Sequence, residues 1–299
     1  MQRKDAAGIM IDGKYYDRLR RLTLAVDKKS NAALLGSRKS VRKGSSAEFS
    51  DFREYMPGDD IRSIDWNAYA RLDRLYIKEY MEEKESRITF FLDMSRSMDY
   101  GEYKKSEFLK DLTNALSYVA LMHMDHVAAV DLADPGRVYS VSGGMKGFRD
   151  ICAWLDRLEI TEGADISRSI RISEDLQPGM SIILSDFLSE EFVEGNALEN
   201  IIKYLIYRKQ KVVVLQLLAE EETDITLTGT HNLIDSEERD RKVKVTMDAA
   251  SIRQYDDALK EFTGRLRSCC KKYGALYHLL NTGENFDRVV FDELRDIYE

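Results

Sequence analysis

The sequence predicts an α/β protein built on a doubly wound, mostly parallel sheet, preceded by a β-rich N-terminal elaboration. Three observations carry this expectation. Continuous apolar runs, "ITFFLDM" from Ile88, "MSIILSDFL" from Met180 and "KVVVLQLL" from Lys211, read as strands covered on both faces. Amphipathic helical stretches alternate with these runs, as parallel crossovers require. Two of the runs end in an aspartate, and doubly wound sheets place their ligands at the carboxyl ends of strands.

Taken in order, Lys14 to Lys29 sets Leu19, Leu22 and Val26 on one face of an expected helix. A polar, basic segment follows, in which Arg38, Lys39, Arg42 and Lys43 read as a solvated loop or partner-binding arm in preference to a phosphate or lipid contact. Phe49 to Lys84 mixes aromatics, charges and short extended pieces, as a small β-rich subdomain would. The expected division is therefore residues 1–86 and 87–299. Beyond Arg87, the segment Lys105 to Met122 carries Phe108, Leu112, Ala115, Leu116 and Val119 at helical spacing. "HVAAVDL" and "RVYSV" read as strands, and "GFRDICAWLDRL" and "DISRSIRISEDL" as helices. Ile225 to Met247 reads as a hairpin. A long helix then carries Ile252, Tyr255, Leu259, Phe262, Leu266 and Tyr273, before a strand "ALYHLL" and a terminal helix.

Composition narrows the function classes. With 299 residues, 43% hydrophobic and 33% charged, the chain is globular, and its net charge of -8 disfavours wholesale nucleic-acid binding. Cys152, Cys269 and Cys270 have neither the number nor the spacing of a disulfide framework or zinc ribbon. His123 and His126 lack partners at ligand spacing. The first residues hold no apolar core of signal-peptide length, and no run reaches the ~20 apolar residues of a membrane span. The expectation is a cytoplasmic protein with no membrane span.

The chemistry concentrates in "DMSRS". If the chain stays near-extended past the strand, Asp93, Ser95 and Ser97 point to one side. A carboxylate and two hydroxyls are hard oxygen ligands, and Asp186, ending a second buried strand, is the natural second carboxylate for a divalent cation, Mg²⁺ first, with Mn²⁺ or Ca²⁺ as alternatives. A helix beginning near Lys104 would aim its N-terminal dipole at the same edge. The plainer alternative is that Asp93 and Ser95 only cap a turn or helix. In "MPGDDIRSIDWNAYARL", Asp59, Asp60, Arg62, Asp65 and Arg71 read as a salt-bridged frame around a packing anchor, Trp66, in preference to a catalytic or phosphate-binding cluster.

"DMSRS" followed by "ILSD" resembles the metal-ion-dependent adhesion site of von Willebrand factor A domains. The stretch from Gly44 to Glu83, with its "GDD.R.IDW...AR" block, resembles the bacterial domain-of-unknown-function family fifty-eight, in which that block precedes a von Willebrand factor A-like domain. The strong part of this match runs from about Gly36 to Met98 and continues more weakly to the C-terminus. The resemblance implies a sheet of von Willebrand factor A type and a partner of MoxR-type AAA+ ATPases, with this chain reading as the form without membrane spans. It also implies a threonine ligand from a second loop. The corresponding text is "ITEGADIS", with Ala164 in the threonine position, so Thr161 from a shifted loop or Asp165, directly or through water, is left to fill it.

The function expected from these readings is a non-enzymatic protein-interaction module whose cation takes a carboxylate from a protein partner. The alternative is a Mg²⁺-dependent phosphatase or phosphotransferase of haloacid dehalogenase type. That chemistry uses DxD, and Ser95 stands where its second aspartate is needed. No GxxxxGK[ST] or GxGxxG follows a strand, which disfavours nucleotide binding.

Overall fold

The computed structural model describes residues 13–26, 47–82, 85–135, 138–163, 165–172, 176–224, 229–234 and 242–298. The basic segment with Arg38 to Lys43, and Ala164, lie outside the described residues. The chain divides into two units, Asn31–Glu85 and the remainder, Met1–Ser30 with Ser86–Glu299. The first helix, grouped with the N-terminal region in the sequence reading, thus falls with the larger unit.

The larger unit is built on a six-stranded sheet of β3 (Arg87–Leu92), β4 (His126–Asp131), β5 (Val138–Val141), β6 (Gly179–Ser185), β7 (Gln210–Leu218) and β10 (Leu276–Asn281), in the order β10-β7-β6-β3-β4-β5. All neighbouring pairs are parallel except β4 with the edge strand β5. The apolar runs are explained by burial on both faces. Ile88, Phe90 and Leu92 enter one core with Met180, Ile182, Leu184, Val213 and Leu215, while Phe91, Ile183, Val212 and Val214 enter the other. Period-two alternation within a run that is apolar throughout is what a sheet between two helical layers demands. Each such side chain removed from water contributes about 1.5–3 kcal/mol.

The helices α1 (Gly13–Leu19), α3 (Lys105–Met122) and α4 (Gly144–Leu155) cover the first face, and α5 (Ile166–Ile172), α6 (Ala197–Tyr207) and α7 (Ala249–Lys272) the second. Phe108, Leu112, Ala115, Leu116 and Val119 are all buried on α3, as their spacing predicts. Chain order reverses around β3. The chain leaves it for β4 and β5 on one side and returns through β6 on the other, which makes the gap between β3 and β6 the switch point of the sheet. The strands β8 (Gly229–Ile234) and β9 (Lys242–Met247) form the expected antiparallel hairpin.

Two terminal expectations fail for tertiary reasons. The helix predicted to Lys29 stops at Leu19, because Leu24 bridges antiparallel to Tyr298 and the Ala25 N–H donates to the Ile297 carbonyl at 2.8 Å. The terminal helix is a short turn, Phe286–Arg288, then a π turn, Val289–Glu293, then a 3-10 turn, Arg295–Ile297. Val289, Val290, Leu294 and Ile297 are all buried, and the Leu294 N–H reaches back five residues to the Val289 carbonyl at 3.1 Å. That pattern fits a wider turn than the α-helix provides.

The smaller unit pairs β1 (Ala47–Glu54) antiparallel with β2 (Tyr76–Glu82), and carries α2 (Trp66–Leu72) between them. Its acids mostly cap backbone amides. Asp65 accepts from Asn67 N at 2.8 Å and Ala68 N at 3.3 Å, and Asp60 accepts from Arg62 N at 3.0 Å. Asp59 pairs with an arginine outside the expected set, accepting from Arg53 at 2.9 Å while also holding Met56 N. Trp66 is not the expected packing anchor: it is 59% exposed, no residue of α2 is buried, and its ring meets that of Tyr69 edge-on within the same helix.

Candidate metal centre

The strand register builds the site. Leu92 of β3 pairs with Leu184 of β6, so the next residues, Asp93 and Ser185, emerge side by side, with the Asp93 N–H donating to the Leu184 carbonyl at 3.0 Å. The Ser185 hydroxyl donates to Asp93 Oδ2 at 2.6 Å, and the Ser95 N–H donates to Asp93 Oδ1 at 2.9 Å. Ser95 and Ser97 face one another with hydroxyl oxygens 3.1 Å apart. Their convergence is not that of an extended run. Ser95 is extended, but Ser97 lies in a 3-10 turn, Arg96–Met98, and the turn folds its hydroxyl back toward Ser95. Met94 and Met98 are fully buried and fix the loop to the core.

The second loop runs alongside. Thr161 forms a parallel bridge with Ser95; its N–H donates to the Met94 carbonyl at 2.9 Å and its hydroxyl to the same oxygen at 3.4 Å. Arg96 and Glu162 tie the two loops at the surface, at 2.7 Å. Asp165 is differently employed: it is exposed, and its Oδ1 accepts from Arg168 N at 2.8 Å at the start of α5. Of the two second-loop alternatives, Thr161 is the one adjoining the DxSxS loop.

Asp186 is 3% exposed; its Oδ1 accepts from Leu188 N at 3.1 Å, and Gln216 holds its carbonyl at 2.8 Å. Its Oδ2 meets a group the sequence reading missed: Lys105 Nζ lies 2.8 Å away and donates equally, at 2.8 Å, to Glu222 Oε1. Glu222 follows β7 in a one-turn helix, Glu220–Thr223, with its Oε2 accepting from Ala219 N at 2.8 Å. A signal for Glu222 was present, since the acidic run Glu220 to Glu222 in "LAEEET" lies just past the third buried run, as Asp93 and Asp186 lie past theirs. Lys105 gave none, because a lysine in the first turn of an amphipathic helix ordinarily faces solvent.

Electrostatics follow from burial. Asp93 is pushed up to about 6, first by loss of hydration and then by the like charge of Asp186, against hydrogen bonds from Ser185 and Ser95. For Lys105, burial works to lower the ammonium's pKa, but Asp186 and Glu222 outweigh it and hold the pKa above the ordinary value. Burial raises Glu222, opposed by Lys105. Asp93 with the hydroxyls of Ser95, Ser97 and Ser185, near enough to Asp186 to feel its charge, forms an oxygen-rich cluster of the donor types a hard cation takes. Among the described residues no three His, Cys, Asp or Glu side chains are arranged to hold a metal, so a cation here would draw on serine or threonine hydroxyls.

The fold and site together define a class: a mixed α/β protein with a two-carboxylate, two-hydroxyl cluster at the switch point of a largely parallel sheet. The chain belongs to the family Protein of unknown function DUF58, matched over residues 51–262. Uncharacterized proteins of Mycobacterium bovis and Mycobacterium tuberculosis are 33% identical to it over 94 residues. That alignment spans 31% of this chain and 30% of each relative. Among solved structures, the conserved hypothetical protein BatB of Bacteroides thetaiotaomicron superposes with a TM-score of 0.41 at 15% identity, over 71% of this chain and 98% of its own. Proximal thread matrix protein 1 of the mussel byssus gives 0.35 at 16%, over 44% and 37%. Among the described residues no helix is long and apolar enough to cross a membrane.

Proposed function

We propose that this chain is a non-enzymatic protein-interaction module of von Willebrand factor A type, whose Asp93, Ser95, Ser97 and Asp186 hold a divalent cation, Mg²⁺ foremost. Thr161 is the second-loop hydroxyl of that set. One observation carries the reading: two buried carboxylates follow adjacent strands at the sheet's carboxyl edge, close enough for the charge of Asp186 to act on Asp93, and Asp93 adjoins a pair of serine hydroxyls 3.1 Å apart. The hydroxyls are neutral ligands, so a bound cation would keep much of its charge for a carboxylate offered by a protein partner. The resemblance of residues 36–98 nominates a MoxR-type AAA+ ATPase as that partner. With Ser95 in place of a second aspartate, the cluster lacks the general acid and base of phosphotransfer.

The test is affinity capture from cells expressing wild type or Asp93→Ala, with and without EDTA, followed by calorimetry on the captured partner. Capture that needs both the cation and Asp93 is the expected outcome. Equal capture by Asp93→Ala, with its circular dichroism unchanged, refutes the proposal.

A further inference from the structure

Among the described residues Lys105 is the one lysine or arginine that is buried. It is completely buried although it opens α3, where the helix dipole already disfavours a cation. Burial and the dipole both oppose its charge, so the charge is there for its neighbours: Asp186 Oδ2 and Glu222 Oε1, each at 2.8 Å. Both oxygens of Asp186 are consequently engaged, one by Lys105 and one by the Leu188 N–H. A cation drawing on Asp186 must share it with an ammonium or displace that ammonium. Displacement does not strand the lysine, because Glu222 is held in place through its other oxygen by the Ala219 N–H.

We propose that Lys105 is the resident counter-ion of Asp186 and sets the divalent-cation affinity of the Asp93–Asp186 site, with Glu222 as the acceptor to which its ammonium retires when a cation binds. The assignment rests on the cation-site reading above. It makes that site deliberately weak: with Asp186 already neutralised, the uncompensated charge facing an incoming cation is mainly that of Asp93. Tight binding then needs an additional carboxylate, which is what a partner supplies. Glu222 and Lys105 act as positioning groups and need not touch the cation.

Removing the ammonium and removing its alternative acceptor have opposite expected effects. Lys105→Met frees Asp186 and tightens Mn²⁺ binding by about tenfold or more, since a unit charge close to a divalent ion is strongly repulsive in a poorly hydrated site. Glu222→Gln keeps the side-chain size and one of the two acceptor oxygens but removes the competing charge, commits the ammonium to Asp186, and weakens Mn²⁺ binding several-fold. A purely structural role would shift both variants in the same direction, by loosening the loops. Mn²⁺ titration by calorimetry and electron paramagnetic resonance reads these effects on the intact chain without a partner, with thermal melts as the folding control. Should Lys105→Met not fold, Glu222→Gln decides: binding equal to or tighter than wild type overturns the proposal. Binding by Lys105→Met no tighter than wild type, while Asp93→Ala abolishes it, overturns the lysine assignment alone. Mn²⁺ binding untouched by Asp93→Ala, or absent from wild type and Lys105→Met alike, overturns the site reading and this assignment with it.

Discussion

Asp93 shows how little of a site's behaviour resides in the residue itself. Its carboxyl is raised to about 6 by burial and by Asp186, whereas an aspartate in the unfolded chain titrates near ~3.9. A folded-state pKa above the unfolded value means that the native protein binds more protons between the two. Stability from this group is therefore full below about pH 4 and lost as pH rises through about 6. The size is on the order of 2–3 kcal/mol. Urea melts in EDTA across this window should show the fall, and Asp93→Asn, which cannot ionise, should flatten it. An unchanged slope in Asp93→Asn would assign the effect to other acids. Asp131 illustrates the opposite fate of a strand-end aspartate: its Oδ1 accepts from Ala133 N at 3.1 Å, as a turn cap does.

At the level of elements, the loops that hold the site are constrained by close approach as much as by hydrogen bonds. Gly101 has φ +102, and a Cβ there would sit 2.9 Å from Ala219 Cβ and 3.1 Å from the Tyr103 carbonyl. This contact joins the turn entering α3, which begins with Lys105, to the segment that carries Glu222. Gly101→Ala should cost about 1–3 kcal/mol in chemical denaturation through backbone strain and overlap, and should disturb cation binding as well. Helix α1 is short, yet Leu19 is fully buried in the core that also holds α3. Leu19→Ala is expected to cost about 2–5 kcal/mol of stability, read from urea unfolding; a loss under about 1 kcal/mol would show that α1 is peripheral.

For the molecule as a whole, a cation held as proposed would be a ligand of the folded state, linking folding to binding. Mn²⁺ at 100 times its dissociation constant should raise stability by about 2.7 kcal/mol, as an increase in melting temperature that Asp93→Ala abolishes. The fold should survive chelation, because Lys105, 2.8 Å from both Asp186 and Glu222, already offsets one of their two charges and hydrogen-bonds both. A melt in EDTA that loses cooperativity would contradict this.

Local pattern was enough to read much of the architecture. The apolar runs at β3, β6 and β7, the spacing of Phe108 to Val119, and the acids closing two runs are local consequences of burial on one or both faces, so the sequence determined them by itself. The placement of Asp93 and Asp186 at adjacent strand ends was legible for the same reason, since strand ends in such sheets converge. Only tertiary structure decided the rest. Leu24 left the helical pattern to bridge Tyr298, and Trp66, aromatic and flanked by charges, stayed exposed. Thr161 came to adjoin Ser95 through pairing of two distant loops, and Lys105 turned inward because two acids from two other strand ends were waiting there. A periodicity reports which face of an element is buried; it carries no record of which distant charge makes an unfavourable burial favourable.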